Sequence, residues 1–354
     1  MRAAKTIAQL ARPLIHDLKP YSSARDEYSG PGSGMVFLDA NENPFESGVN
    51  RYPDPHQKAL KEKVARLRGV SVGQVLLGNG SDEVLDLLFR VFCEPYRDAV
   101  ITLPPTYGMY GVLAGINGVR NLEIPLNGDF QPDNPAIMEQ AGEGVKMLFL
   151  CSPNNPSGNA LERERVLELL DTFPGLVVID EAYIDFAEDA GYAPLLENYP
   201  GLVVVQTLSK AYGMAGIRLG ICLAGEEVIS LLKRVKPPYN VNVLSQQRAL
   251  AALSDPSAIA AQIRRLKGER SRLAGAFADL RMVEKVFPSQ ANFILARVDD
   301  APARYLELLQ AGIVVRDRSS QYLCENTLRF TVGTPEENDR LIAVLKQMDQ
   351  IQKA

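Results

Sequence analysis

Four short segments carry side chains that could do chemistry together. The first is TLSKAYGMAGIRLG, residues 207–220, where Lys210 follows an apolar run and Arg218 comes eight positions later. A lysine amine becomes a nucleophile toward carbonyl carbon when desolvation or a neighbouring cation lowers its pKa. Small neighbours here leave room for a large group to approach the backbone. The second is VVIDEAYIDF, residues 177–186, with Asp180 and Tyr183 at the end of an apolar run. Open α/β sheets place their ligands at such carboxyl ends. A carboxylate buried there needs a cationic partner, and a protonated ring nitrogen is one. A helix N-cap is the ordinary alternative for Asp180. Glu181, beside it, reads as a surface or interface residue. The third is CSPNNPSG, 151–158, where the Asn155 amide either bonds a ring hydroxyl or merely completes a tight turn. The fourth is LGNGSDE, 77–83, in which Gly80, Ser81 and Asp82 open a helix whose free N–H groups suit a phosphate. It is neither a Walker loop nor a dinucleotide fingerprint, since no Gly-Lys-Ser/Thr follows and Glu83 stands where a third glycine belongs.

The elements that must position these groups show as periodic runs. Residues 99–103, 145–150, 176–180 and 202–208 are apolar on both faces. Parallel strands covered by helices on each side have that pattern. Residues 57–68 place Leu60, Val64 and Leu67 at helical spacing before Gly69, and 81–92 repeat it with Val84, Leu85, Leu87 and Leu88. The expected fold is α/β, a mostly parallel sheet between helices, in a large domain over 35–240. From Val243 a long helical stretch begins, followed by strand-like segments at 292–298 and 327–332 and a closing helix from 335. This reads as a smaller α+β domain, 241–354. Residues 1–34, ending in SGPGSG, read as an irregular arm.

Composition excludes several classes. The 354 residues are 46% hydrophobic and 23% charged, enough for a sizeable core. The net charge of −5 contains no long basic run, so no nucleic-acid partner is expected. No run reaches membrane length and the start lacks a secretion signal, so a cytoplasmic protein is expected. Cys93, Cys151, Cys222 and Cys324 are scattered without metal-ligand spacing and read as reduced structural thiols. Only His16 and His56 are present, and both read as packing or surface residues.

Phosphate cradle, ring amide, ring-nitrogen acid and amine-bearing lysine thus occur in order, each at a strand end. In order and wording they resemble the fold-type I, class I/II aminotransferases, which use pyridoxal phosphate, over nearly the whole chain. Within that family LKPY (18–21), LDANENP (38–44), RYPDP (51–55) and LRFTVGTPEEN (328–338) are similar to the histidinol-phosphate aminotransferases.

The resemblance implies a Schiff base on Lys210, Asp180 on the pyridine nitrogen, and Asn155 and Tyr183 on the ring oxygen. It places Tyr107 on the ring face, where plain packing is the alternative. Gly80, Ser81, Asp82, Thr207, Ser209 and Arg218 would hold the cofactor phosphate. Tyr52 would reach the phosphate bound by a partner subunit, making a homodimer with a shared active site. Arg329 would bind substrate oxyanions, unless it is a surface strand arginine, with Tyr21, Asn41 and Arg316 as lesser candidates. A local ion pair with Asp317 or Glu325 is the alternative for Arg316. The implied reaction passes an amino group from histidinol phosphate to 2-oxoglutarate, forming imidazole acetol phosphate and glutamate. Rival readings are a lyase resembling threonine-phosphate decarboxylase, an aromatic amino-acid aminotransferase, and a binding-only relative.

Overall fold

The central sheet forms because its inner strands are apolar on both faces, while the edge strand Arg120–Glu123 is mostly polar. In the computed structural model, which describes residues 5–21 and 35–351, it contains β1 (Val75–Asn79), β2 (Ala99–Thr102), β3 (Arg120–Glu123), β4 (Val145–Cys151), β5 (Leu176–Asp180), β6 (Leu202–Thr207) and β7 (Leu219–Ala224). The spatial order is β1-β7-β6-β5-β4-β2-β3. Strands β6, β5, β4, β2 and β3 run parallel, while β7 is antiparallel to both its neighbours. Leu148, Leu150, Val177, Ile179, Leu202 and Val204 pack into one core, and Met147, Phe149, Leu176, Val178, Val203 and Val205 into another on the opposite face. Successive side chains of a strand point to opposite faces, so the continuous apolar runs supply both cores.

Helix Lys58–Arg68 covers the first face, ending at Gly69 in the left-handed conformation, and helix Val243–Ala252 packs against it. Helices Ser81–Phe92 and Glu226–Val235 cover the second face, with Leu85, Leu88, Val228 and Leu232 fully buried. The parallel crossovers bring the carboxyl ends of β4, β5 and β6 to one edge, with Cys151 beside Asp180 and Asp180 beside Val205.

A second, antiparallel sheet follows: β8 (Val283–Val286), β9 (Phe293–Val298), β10 (Arg316–Asp317) and β11 (Thr327–Thr331), in order β10-β11-β9-β8. Helices Pro256–Ala278 and Pro335–Ile351 pack on it around Leu273, Phe277, Ile294, Leu328 and Phe330.

Two expectations change. The start of the chain is not irregular throughout, because Ile7–Leu10 and Pro13–Asp17 are short helices. Thr6 and Gln9 form a reciprocal capping box, and Ile7, Leu10, Ala11 and Ile15 are buried on the second core. The Gly- and Ser-rich part of that arm, 22–34, lies outside the described residues. The long stretch from Val243 is two helices, broken where Asp255 caps the second and Pro256 opens it.

Candidate active site

A cavity of about 440 Å³ opens at the carboxyl edge of the parallel strands. Its walls include Ser81, Asp82, Tyr107, Asn155, Asp180, Tyr183, Thr207, Ser209, Lys210, Arg218, Arg316 and Arg329. These residues come from segments up to 248 positions apart, Ser81 to Arg329.

One end suits a phosphate. The first N–H groups of helix Ser81–Phe92 have no partner within the helix, and its N-cap residue Gly80 offers no side chain to cap them. Gly80, at φ 83°, turns the chain into that helix, and a Cβ there would come within 2.6 Å of an Arg218 Nη. Gly220 permits a close approach of backbone to backbone: its Cβ would lie 2.3 Å from the Gly80 carbonyl carbon and 2.4 Å from the Ser81 nitrogen. Arg218 is itself left-handed, at φ 53°, a conformation costing about 1–2 kcal/mol in a non-glycine residue. Asp82 stands 3.7 Å from the Arg218 guanidinium and accepts the Tyr107 hydroxyl at 3.1 Å. The Thr207 hydroxyl donates to Ser209 Oγ at 2.9 Å. The cradle thus presents hydroxyls, helix N–H groups and one guanidinium.

The floor suits a cation. Asp180 is 3% exposed at the end of β5, and burial pushes its carboxyl up to about 6. It accepts the Tyr110 hydroxyl at 2.8 Å and the Ala182 N–H at 3.0 Å. Tyr110 is fully buried, stacked on Phe149 at 5.0 Å. Between these ends lies Lys210, whose Nζ is 5.6 Å from the Tyr183 ring centroid. Its pKa is lowered, first by burial among the cavity walls and then by the Arg329 charge. A lowered lysine is the nucleophilic form that carbonyl capture requires.

The opposite wall is cationic. Arg316 and Arg329 are direct cross-strand partners on β10 and β11, where like charges repel. Arg318 joins them in the cavity wall. Burial lowers the pKa of both Arg318 and Arg329; Arg316 lowers each further, and Arg318 also lowers Arg329. The Nε atoms of Arg318 and Arg329 are buried without a hydrogen-bond partner. An Arg329 Nη donates to Asn155 Oδ1. None of the three forms an ion pair among the described residues. Glu325 instead faces Arg297 at 3.7 Å, and Asp317 accepts the Ser319 N–H.

Sequence reasoning missed Tyr110, Arg318 and Gln321. Tyr110 stands three residues after Tyr107, and that helical spacing was the available signal. Glu181 is not a surface residue: it is 1% exposed, accepting the Tyr192 N–H at 2.6 Å and the Gln206 amide at 2.7 Å. Burial pushes its carboxyl up to about 7. Within one chain Tyr21, Asn41 and Tyr52 do not line the cavity. Tyr21 is exposed, Asn41 lies in a left-handed turn, and Tyr52 stacks on Tyr239 at 4.4 Å. Cys151 does line it, its thiol raised by burial. Among the described residues no group of His, Cys, Asp and Glu could hold a metal ion, and no helix is long and apolar enough to cross a membrane.

Comparison with known proteins agrees with this geometry. The family model described as "Aminotransferase class I and II" matches residues 36–345. A histidinol-phosphate aminotransferase of Flavobacterium johnsoniae is 56% identical, over 97% of this chain and 99% of that protein. Another, of Christiangramia forsetii, is 54% identical over 97% of this chain and 98% of its own. The crystal structure of the histidinol-phosphate aminotransferase from Clostridium acetobutylicum shares the fold, with a TM-score of 0.79 at 24% identity over 86% of this chain and 92% of that one. A matched segment covering both sheets and every cavity residue, together with relatives above half identity along their full length, places the chain in the class I and II aminotransferase family.

Proposed function

We propose that this transaminase moves the amino group of histidinol phosphate to 2-oxoglutarate, giving imidazole acetol phosphate and glutamate. The observation that carries the substrate reading is that Arg316, Arg318 and Arg329 line the same cavity as Lys210 with no ion pair to any of the three among the described residues. Like charges gathered without counter-ions favour an arriving anion, and planar forks suit phosphate and carboxylate oxygens alike. One site can therefore take the phosphate of one substrate and a carboxylate of the other. The full-length likeness to named histidinol-phosphate aminotransferases supports the same choice.

Pyridoxal phosphate is the cofactor of the family, and the cavity fits it. When bound, it supplies an aldehyde carbon for amines and a ring that accepts electrons from the substrate Cα. In this reading Gly80, Ser81, Asp82, Thr207, Ser209 and Arg218 hold its phosphate. The Asp180 carboxylate keeps the ring nitrogen protonated, and the ring nitrogen offsets the cost of burying that charge. Asn155 and Tyr183 orient the ring through its oxygen, and Tyr107 covers one face. Lys210 Nζ would carry the cofactor and, once freed by the substrate amine, would take up and hold the proton from the substrate Cα. Tyr110 is added as the donor that holds Asp180 in place. Tyr110→Phe is expected to weaken cofactor binding about tenfold, the worth of one hydrogen bond to a charged group, measured by titrating stripped protein with pyridoxal phosphate.

A homodimer is part of the reading. Val36, Leu38 and Phe45 are each more than 80% exposed, and with Tyr52 they give an apolar segment that a second copy would cover. Tyr52 would then reach the partner's cofactor phosphate, and Tyr21 and Asn41 would complete the substrate end. Four buried free thiols suit a reducing compartment, the cytoplasm.

The test is a half-reaction. Histidinol phosphate added to the cofactor-loaded protein should bleach its visible absorption, and 2-oxoglutarate should restore it. Release of carbon dioxide from a phosphorylated amino acid would favour the lyase, and equal turnover of aromatic donors the aromatic aminotransferase. Arg318→Gln should lower kcat/KM for histidinol phosphate about 10- to 100-fold, the loss of charge-assisted hydrogen bonds. Turnover of that variant at the normal rate would remove Arg318 from the site.

A further inference from the structure

Behind the cavity wall lies a second cluster of charges that the proposed reaction does not use. Arg68, last residue of helix Lys58–Arg68, donates through both Nη atoms to the two oxygens of Asp185, at 2.9 and 3.1 Å. Each side chain is only 14% exposed. The same guanidinium lies 5.9 Å from the centroid of the Tyr212 ring. Burial, with the Asp185 charge nearby, pushes the Tyr212 phenol up to about 12. The three side chains form one cluster around the guanidinium.

The partners of Arg68 are spaced in a telling way. Asp185 comes two residues after Tyr183, and Tyr212 two residues after Lys210. Tyr183 and Lys210 are the cavity pair in which the Lys210 ammonium faces the Tyr183 ring. Each partner shares a single turn with its cavity residue: Phe186 N–H donates to the Tyr183 carbonyl, and Gly213 N–H to the Lys210 carbonyl. Neither turn belongs to a strand or to a helix longer than three residues. Tertiary contacts must therefore fix them relative to each other.

A buried ion pair is weak evidence for stability, because desolvation offsets its attraction. What a bidentate fork adds is geometry, since two parallel hydrogen bonds set orientation as well as distance. Arg68 stands at a helix C-terminus, where the backbone dipole favours a cation, and the buried Glu181 adds a further negative charge nearby. The guanidinium is thus held from three sides while it grips both turns.

We propose that Arg68 is a positioning residue: by gripping Asp185 and packing on Tyr212 it sets the separation of the Lys210 amine from the Tyr183 phenol, and so the geometry in which the lysine meets the cofactor. The inference rests on the reading of Lys210 as the cofactor-bearing amine. It is tested with the cofactor-loaded protein as wild type, Arg68→Lys and Tyr212→Phe. Three quantities are read: the pyridoxal phosphate dissociation constant, the pH midpoint of the visible absorption, and, after stripping, the pH dependence of Lys210 carbamylation by cyanate. Arg68→Lys keeps the charge and loses the fork, so the dissociation constant should rise about tenfold and both pH profiles should shift. Tyr212→Phe should move the same quantities in the same direction by less. Variants that melt earlier but match wild type in all three quantities would show a merely structural ion pair and overturn the proposal. If Arg68→Lys does not fold, Tyr212→Phe decides alone by the same criterion. Borohydride reduction of the wild type should leave a pyridoxyl group on Lys210. Its absence would overturn the functional reading and this inference together, whereas unchanged variants of a wild type that carries the group overturn this inference only.

Discussion

Lys210→Ala is expected to fold normally and to lose turnover by about 10⁴-fold or more. Lys210 Nζ makes no hydrogen bond or ion pair among the described residues, and its side chain opens onto the cavity, so deleting it leaves no buried group unpartnered. The stripped variant should melt within a degree or two of wild type. Chemistry suffers because no other amine stands there: a positioned acid–base group is worth about 10²–10⁴, and loss of the covalent attachment adds to that. A small added amine should restore part of the rate, as it can carry the Cα proton but is not held in place. Single-turnover absorption with histidinol phosphate measures both effects. A fully active Lys210→Ala would end the proposed mechanism.

Asp180→Asn should separate activity from stability. Activity should fall by about 10²–10³, since a neutral amide no longer holds the ring nitrogen protonated, a loss of 3–4 kcal/mol of transition-state stabilisation. Stability of the stripped protein should move the other way. Burial raises the Asp180 carboxyl to about 6, above its unfolded value near 4. Between those values the folded state binds the proton and the unfolded state does not, so stability falls as pH rises through that window. Above about pH 6 the folded protein carries the full cost of a buried charge. An amide carries none, while its oxygen can still accept the Ala182 N–H and its nitrogen can donate to the Tyr110 oxygen. Stripped Asp180→Asn should therefore melt higher than stripped wild type at pH 8 and about equally at pH 4. Glu181, raised to about 7 by burial, remains in both proteins and cancels from the comparison. Equal melting temperatures at pH 8 would show that the stripped site does not strain Asp180.

Much of the sheet was legible because its strands are apolar on both faces. The runs at 145–150, 176–180 and 202–208 became β4, β5 and β6 with small shifts at their ends. Strands β1 and β7 were harder to see. Each contains a glycine, Gly78 or Gly220, and each adjoins a motif that reads first as chemistry. The antiparallel direction of β7 has no local signature at all. It follows from the short return after Lys210, which leaves no length for a crossover helix.

The cavity residues divide in the same way. Asp180, Asn155 and Lys210 follow strands, and the carboxyl edge of a parallel sheet gathers whatever its strands end on. Arg318 lies on a two-residue strand's exit in a charged stretch, which reads in sequence as a solvated face. Only the folding of β10 against β11 turns it inward beside Arg329. Glu181 looked exposed because it is acidic and follows a strand. Tertiary packing instead wraps it with Gly191, Tyr192 and Gln206, and a Cβ at Gly191 would come 2.6 Å from its oxygen.

By itself, then, the sequence determined the α/β layering and the strand-end positions of Lys210, Asp180 and the Gly80 turn, to which the proposed roles are assigned. Each of these depends on local period or on residues within one turn of a strand end. The tertiary structure decided the depth of Glu181, the Tyr110 support beneath Asp180, the convergence of three arginines, and the Arg68 clamp between two loops. Those features join segments 11 to 174 positions apart: Tyr192 to Glu181, and Arg329 to Asn155. Hydrogen bonds and charges act over a few ångströms of space, and separation along the chain carries no information about such distances until the chain has folded.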